Sequence, residues 1–271
     1  MPGFLEMWQY GFVQRAVLAG VLVAVGCGML GVFLVLRRYA MIGDGLAHCA
    51  FGAVGLALFL DRAPLMVTLP LVAGASLLIL YLPGHSSLFG DAAIGMVSAL
   101  GVAVGVLLAS MGGGFNVDLF GFLFGDILAV GRSEVWISLL LTCAIVGIVV
   151  LTYYDLFALT FDEDTARVWG IHPERINRLL AVLTGILVVL GIRIAGTLLI
   201  SSLLIFPAVT ALQCCRGFRS LLIMAALLGG VSVFLGLLAS LWLDAPAGAA
   251  IVVVNALLFG CALLGSKVLK R

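Results

Sequence analysis

The chain has 271 residues, of which 64% are hydrophobic and only 10% charged, with a formal net charge of +1 and a mean hydropathy of +1.30. Soluble domains hold about a quarter of their residues as Asp, Glu, Lys or Arg, so water would not keep this chain in solution, and the lack of any long basic run excludes a nucleic-acid footprint. A bilayer suits it, because hydrocarbon accepts apolar side chains wherever the backbone is hydrogen-bonded within its own segment.

Helices are expected rather than a transmembrane barrel. Barrel strands alternate apolar and polar residues over about ten positions, whereas Val17 to Leu36 and Ile251 to Leu264 are apolar on every side. A spanning helix needs roughly 20 residues, which predicts nine spans, with eight as the lower count: 14–36, 43–60, 64–82, 91–111, 134–153, 178–192, 195–213, 220–242 and 248–266. The expected fold class is an all-α integral membrane protein, a polytopic helical bundle forming one transmembrane domain over residues 1–271. Breakers and charges mark the junctions at Arg37–Arg38, Asp61–Pro64, Pro83–Gly90, Gly112–Gly114, Arg216–Arg219 and Asp244–Pro246. Residues 1–15 carry Glu6, Trp8 and Tyr10 and no basic start, so the first span is expected to be the insertion signal.

The basic residues orient these spans. With the N-terminus outside and the C-terminus in the cytoplasm, the inner side collects Arg37, Arg38, Arg167, Arg175, Arg178, Arg216, Arg219, Lys267, Lys270 and Arg271, leaving Arg15, Arg62, Arg132 and Arg193 outside. Trp8, Tyr10, Trp136 and Trp242 then fall near interfaces, where amphipathic rings settle.

Ionisable groups within spans are costly and mark function by default. The second span opens Gly43-Asp44-Gly45-Leu46-Ala47-His48. Asp44 and His48 are four apart, on one helix face. There a carboxylate and an imidazole can share a divalent ion, the imidazole suiting zinc and the carboxylate widening the range toward manganese. An Asp–His hydrogen bond near the helix start accounts for the same spacing. Asp91 opens the fourth span as a helix-start carboxylate.

Between the fourth and fifth spans, Asn116 to Leu128 is apolar but too short and interrupted to cross, so it is expected to be re-entrant or interfacial. Asp118 and Asp126, eight apart within it, are candidates for a metal-entry path or gate, or for a capped surface helix. Asp155 to Arg178 is the longest hydrophilic stretch. It predicts a short helix outside the membrane, capped by Thr160 or Asp162 and ended by Gly170, with Phe161, Ala166, Val168 and Trp169 as an apolar docking face. In the seventh span, Pro207 removes a backbone hydrogen bond; together with Ser201 and Ser202 it suggests a hinge along a wet path, or a static packing kink.

Some spellings mislead. Gly26-x-Gly28-x-x-Gly31 lacks a preceding strand and is expected to be helix packing, as are Gly101 and Gly105. The six cysteines form no CxxC pair and are expected to pack as small apolar groups. Neither a GxxxxGK[ST] nor an HExxH string occurs, so no ATP site and no catalytic role is expected of the chain itself.

Taken in order, Arg37-Arg38-Tyr39 with Gly43 to His48, Val117 to Val130, Phe161 to Gly170, Gly196 to Ala211 and Asp244 to Gly248 resemble the permease family of metal-uptake ABC importers over nearly the whole chain. The resemblance implies the permease fold of that class in a bacterial cytoplasmic (inner) membrane. It implies a homodimer with a second permease copy, two cytoplasmic ATP-binding subunits that use the ATP, and an extracytoplasmic metal-binding protein. No cofactor is held permanently; the transported ion, Zn2+ or Mn2+, is the substrate. Asp44 and His48 become a transient metal site, and residues 155–178 a coupling segment, with Phe161, Asp162, Glu163, Ala166, Trp169 and Gly170 docking on the ATPase. Gly-Asp-x-Leu-Ala-His, and Val-Asp-Leu followed by Leu-Phe-Gly-Asp, resemble most the zinc branch. The manganese and iron branch more often places a proline soon after the histidine, where this chain has Phe51-Gly52-Ala53. A metal channel or a proton-coupled transporter remains as an alternative.

Overall fold

The computed structural model of the chain describes residues 10–85, 89–111, 125 and 130–269. Among them are eleven helices and no strand: α1 Gly11–Leu36, α2 Ile42–Phe59, α3 Pro64–His85, α4 Gly90–Met111, α5 Arg132–Leu151, α6 Tyr153–Phe161, α7 Glu163–Val168, α8 Pro173–Ala195, α9 Thr197–Cys214, α10 Phe218–Leu243 and α11 Ala247–Leu269. Nine of these described helices, all except α6 and α7, are long and apolar enough to cross a membrane. The predicted spans match them to within a few residues, save that α8 starts five residues early, at Pro173. Proline suits the first helical position, and Glu174, Arg175, Asn177 and Arg178 extend the helix beyond its apolar part. Hydropathy sees only the portion that hydrocarbon would accept.

The junction residues act as stops. Arg38, Asp61 and Asp244 all take positive φ, at 63°, 52° and 51°, each just after a spanning helix. This left-handed turn ends a helix, and a short polar Asp side chain tolerates it better than most.

The chain divides into two compact units, one of residues 1–32, 120–150 and 191–271, the other of 33–119 and 151–190. In the first, α9, α10 and α11 pack on one another. Gly28 of α1 lies against α10, where a Cβ would meet the Ala225 carbonyl oxygen at 2.6 Å, and Gly31 faces the Leu204 carbonyl of α9. Thr142 of α5 donates to the Leu22 carbonyl at 2.8 Å, and Arg193 reaches Glu134 at 3.5 Å. In the second unit, α2 packs on α3 and α4. Gly52 meets Gly101, and a Cβ on Gly101 would fall 2.6 Å from Cys49 Cα. These seams are the expected small-residue packing: in lipid, close backbone approach supplies the dispersion contact that water would otherwise drive. The cysteines are all free. Cys27 packs inside, whereas Cys143, Cys214 and Cys261 lie on outer helix faces, so the packing expectation fails for those three.

Candidate functional site

Asp44 sits in the first turn of α2 and His48 one turn later. Gly43, Gly45, Leu46 and Ala47 are buried, leaving the two polar side chains half-exposed. The His48 Nε2 and Asp44 Oδ2 atoms are 3.7 Å apart. That is beyond a direct hydrogen bond, and near the roughly 3.4 Å that a tetrahedral zinc sets between a nitrogen and an oxygen ligand. Backing comes from α4: a Cβ on Gly101 would lie 2.8 Å from the His48 carbonyl oxygen, so the bare glycine lets α4 press on the turn that aims the imidazole. Among the described residues no group of three or more His, Cys, Asp or Glu side chains gathers. Asp44 and His48 are 38% and 42% exposed.

Asp118 and Asp126 lie outside the described residues. Between them Gly125 is described, at φ +67°. It rests on the α8–α9 junction: a Cβ there would come 3.0 Å from Ala195 Cα, beside Gly196, itself at φ +76°. Only glycine combines that conformation with that closeness. Within α9, Ser202 and Pro207 are buried and Ser201 partly so. The Ser202 hydroxyl donates to the Leu199 carbonyl at 2.9 Å and Thr210 to the Phe206 carbonyl at 2.6 Å, so both hydroxyls turn back into their own helix.

The hydrophilic stretch resolves into α6, α7 and the first turns of α8. Asp162, extended at φ −153°, caps α7 by accepting from the backbone N–H groups of Asp164 at 3.1 Å and Thr165 at 3.0 Å. The Thr165 hydroxyl also donates to it. These bonds, the Thr165 side chain foremost, hold the Asp162 carboxyl below the usual carboxylate range. Thr160, the other cap candidate, instead donates to the Leu156 carbonyl. Gly170, at φ +83°, ends the turn after Trp169. Ala166 is fully buried, so it anchors α7 to its own chain and does not belong to the outward apolar face; that face is Phe161, Val168 and Trp169, at 65%, 85% and 72% exposure.

Glu163 ties α7 down. One carboxylate oxygen accepts from Arg37 at 3.1 Å, the other from Arg167 at 3.0 Å. Arg37, 16% exposed, also donates to the Asn177 side-chain carbonyl on α8. Tyr39 lies alongside; its phenol is pushed up by burial, against the pull of Arg37 and with a push from Glu163, and so stays a neutral hydroxyl. From the sequence, Arg37 stood out as a junction, an orientation marker and part of the family resemblance, with no partner assigned to it, and Asn177 did not stand out at all. The adjacent Arg37-Arg38 pair was the one signal available.

The chain matches the model of the ABC 3 transport family over residues 9–266. It is 37% identical to a protein of Treponema pallidum described as a metal transport system membrane protein, covering 89% of this chain and 91% of that one. It is 31% identical to the manganese transport system membrane protein MntC of Halalkalibacterium halodurans, covering 96% and 89%. Identity is 29% to the high-affinity zinc uptake system membrane protein ZnuB of Haemophilus influenzae, over 90% and 94%. The solved structure of PsaBC from Streptococcus pneumoniae in complex with Fab superposes with a TM-score of 0.83 at 28% identity, covering 94% of this chain and 92% of that one. The chain belongs to the ABC 3 transport family and is a multi-pass permease of a metal-importing ABC system.

Proposed function

We propose that this permease carries Zn2+ into the cytoplasm through a transient intramembrane site made by Asp44 and His48. The observation that carries the reading is their 3.7 Å separation on one face of a spanning helix. One carboxylate and one imidazole hold an ion weakly, as transport requires, because an ion that enters must also leave. Their exposure, with no third His, Cys, Asp or Glu side chain gathered beside them among the described residues, favours a homodimer in which a second copy brings another Asp44–His48 pair to the path. The single permease domain spans residues 1–271, with the N-terminus outside, and an extracytoplasmic metal-binding protein delivers the ion.

Two cytoplasmic ATP-binding subunits dock on Phe161, Val168 and Trp169. Their closing and opening pull on α7, the Arg37–Glu163 clasp passes the movement to the spans, and access switches from outside to inside. Asp118, Asp126, Ser201, Ser202 and Pro207 are proposed for the pathway or its gate. Manganese is the second reading, favoured by the manganese relative that aligns over 96% of this chain. Imidazole in the ligand pair and Phe51-Gly52-Ala53 after His48 support zinc.

The test is uptake into proteoliposomes holding the complete complex, with ATP inside and zinc or manganese outside with the binding protein. ATP-dependent zinc accumulation that falls to background in His48→Ala is the expected result. Manganese accumulation in place of zinc changes the substrate and keeps the mechanism. Uptake without ATP points to a channel or proton-coupled carrier.

A further inference from the structure

The second unit holds a groove of about 1180 Å³ at the end where α1 and α3 finish and α8 begins. Its walls carry Leu77, Leu78 and Tyr81 of α3 and Leu180 of α8. Its rim carries three guanidiniums, Arg37, Arg167 and Arg178, against the carboxylates of Glu163 and Glu174. Glu163 is shared by Arg37 and Arg167. Arg178 is exposed, its Nε donating to the Glu174 carbonyl oxygen, and it has no carboxylate partner among the described residues.

The outer wall opens sideways. Only 22% of the spanning window of α3 is buried, and Leu78 and Tyr81, at 46% and 57% exposure, continue the groove onto the exposed face of this helix. An occupant entering from that side is a lipid: apolar walls take the chain, and the basic rim takes the headgroup. Basic pockets between spans at the cytoplasmic face are suited to anionic headgroups.

We propose that this groove binds one anionic phospholipid, its phosphate on Arg178 and the Arg37–Arg167 rim and an acyl chain between α3 and α8. The headgroup then lies beside Glu163, so lipid charge bears directly on the clasp that holds α7. The proposal stands whichever metal is carried.

Gly74 provides the decisive variant. It lines the groove, and a Cβ placed on it meets nothing within 4 Å, so a side chain can start there unopposed, and Gly74→Phe is chosen to put a ring into the apolar half. The assembled complex, exchanged into mixed phosphatidylglycerol and phosphatidylcholine, is released and weighed intact by native mass spectrometry. Selective retention of phosphatidylglycerol is expected. It should fall about five-fold in Arg178→Gln, the worth of one basic residue near an anionic lipid, and retention of both lipids should fall in Gly74→Phe. Equal retention of the two lipids by the native complex overturns the proposal, as does retention unchanged by either variant. So does cross-linking of Leu78→Cys to an ATPase subunit in place of lipid, which identifies a protein occupant.

Discussion

Asp44 carries a charge that a membrane span pays for. At a helix centre a carboxylate costs about 2.5–3.5 kcal/mol on insertion scales, and less in a first turn. If the residue serves metal and not packing, Asp44→Asn should abolish uptake while the complex assembles normally and its thermal midpoint stays level or rises. A lower midpoint with uptake retained would make Asp44 structural. Asp162 poses the opposite case, an exposed carboxylate at work in water. Its folded-state pKa is depressed, so its contribution is complete above the ordinary carboxylate pKa and lost as pH falls through the depressed value. Amide exchange at Asp164 and Thr165 should therefore stay protected from neutral pH down to the ordinary carboxylate range and open only below it. Asp162→Ala should open the same amides several-fold at neutral pH. The placement of Asp44 beside His48, and Asp162 as one of two cap candidates, were legible in the sequence because the geometry is local: one helical turn joins Asp44 to His48, and two or three residues join Asp162 to the amides it caps. Arg37 was not, since its partners Glu163 and Asn177 lie 126 and 140 residues away.

At the scale of the element, α7 has six residues, too few to be stable alone. It persists through its cap, through buried Ala166, and through the two arginines on Glu163. Glu163→Gln should cost on the order of 1 kcal/mol locally, because Arg37 is largely buried while the carboxylate keeps some water. The expected signature is faster amide exchange across 163–168 and a several-fold loss of transport per ATP hydrolysed, with metal binding at the proposed Asp44–His48 site unchanged. Equal losses of hydrolysis and transport would assign Glu163 to assembly in place of coupling. The extent of α7 was readable from Asp162 and Gly170. The inward turn of Ala166 was not, because a helix of fewer than two turns has too little periodicity to separate its faces.

Across the whole molecule, hydropathy located the spans but not their company. Apolar residues that face protein and those that face lipid look alike, so nothing in the spelling of α3 and α9 announces that 22% of one window is buried and 61% of the other. The two compact units draw on interleaved stretches of chain, an arrangement that no local pattern records. Glycine seams are the visible exception. Gly101→Leu should be poorly tolerated, since its first side-chain carbon already lands on the α2 backbone; overpacking of this kind costs about 1–3 kcal/mol or more. Reduced yield and lost metal binding at the proposed His48 site should appear together, whereas Gly74→Leu on the open side of α3 should leave both intact.

The Arg37 clasp also sets a timetable for synthesis. Arg37 leaves the ribosome early and waits for Asn177, an interval on the order of ten seconds at bacterial elongation rates. On the proposed docking of ATP-binding subunits, the surface they would meet is incomplete until then. A truncated chain ending before Asn177 should recruit none of them, so the permease would present itself for assembly only after most of it has been made.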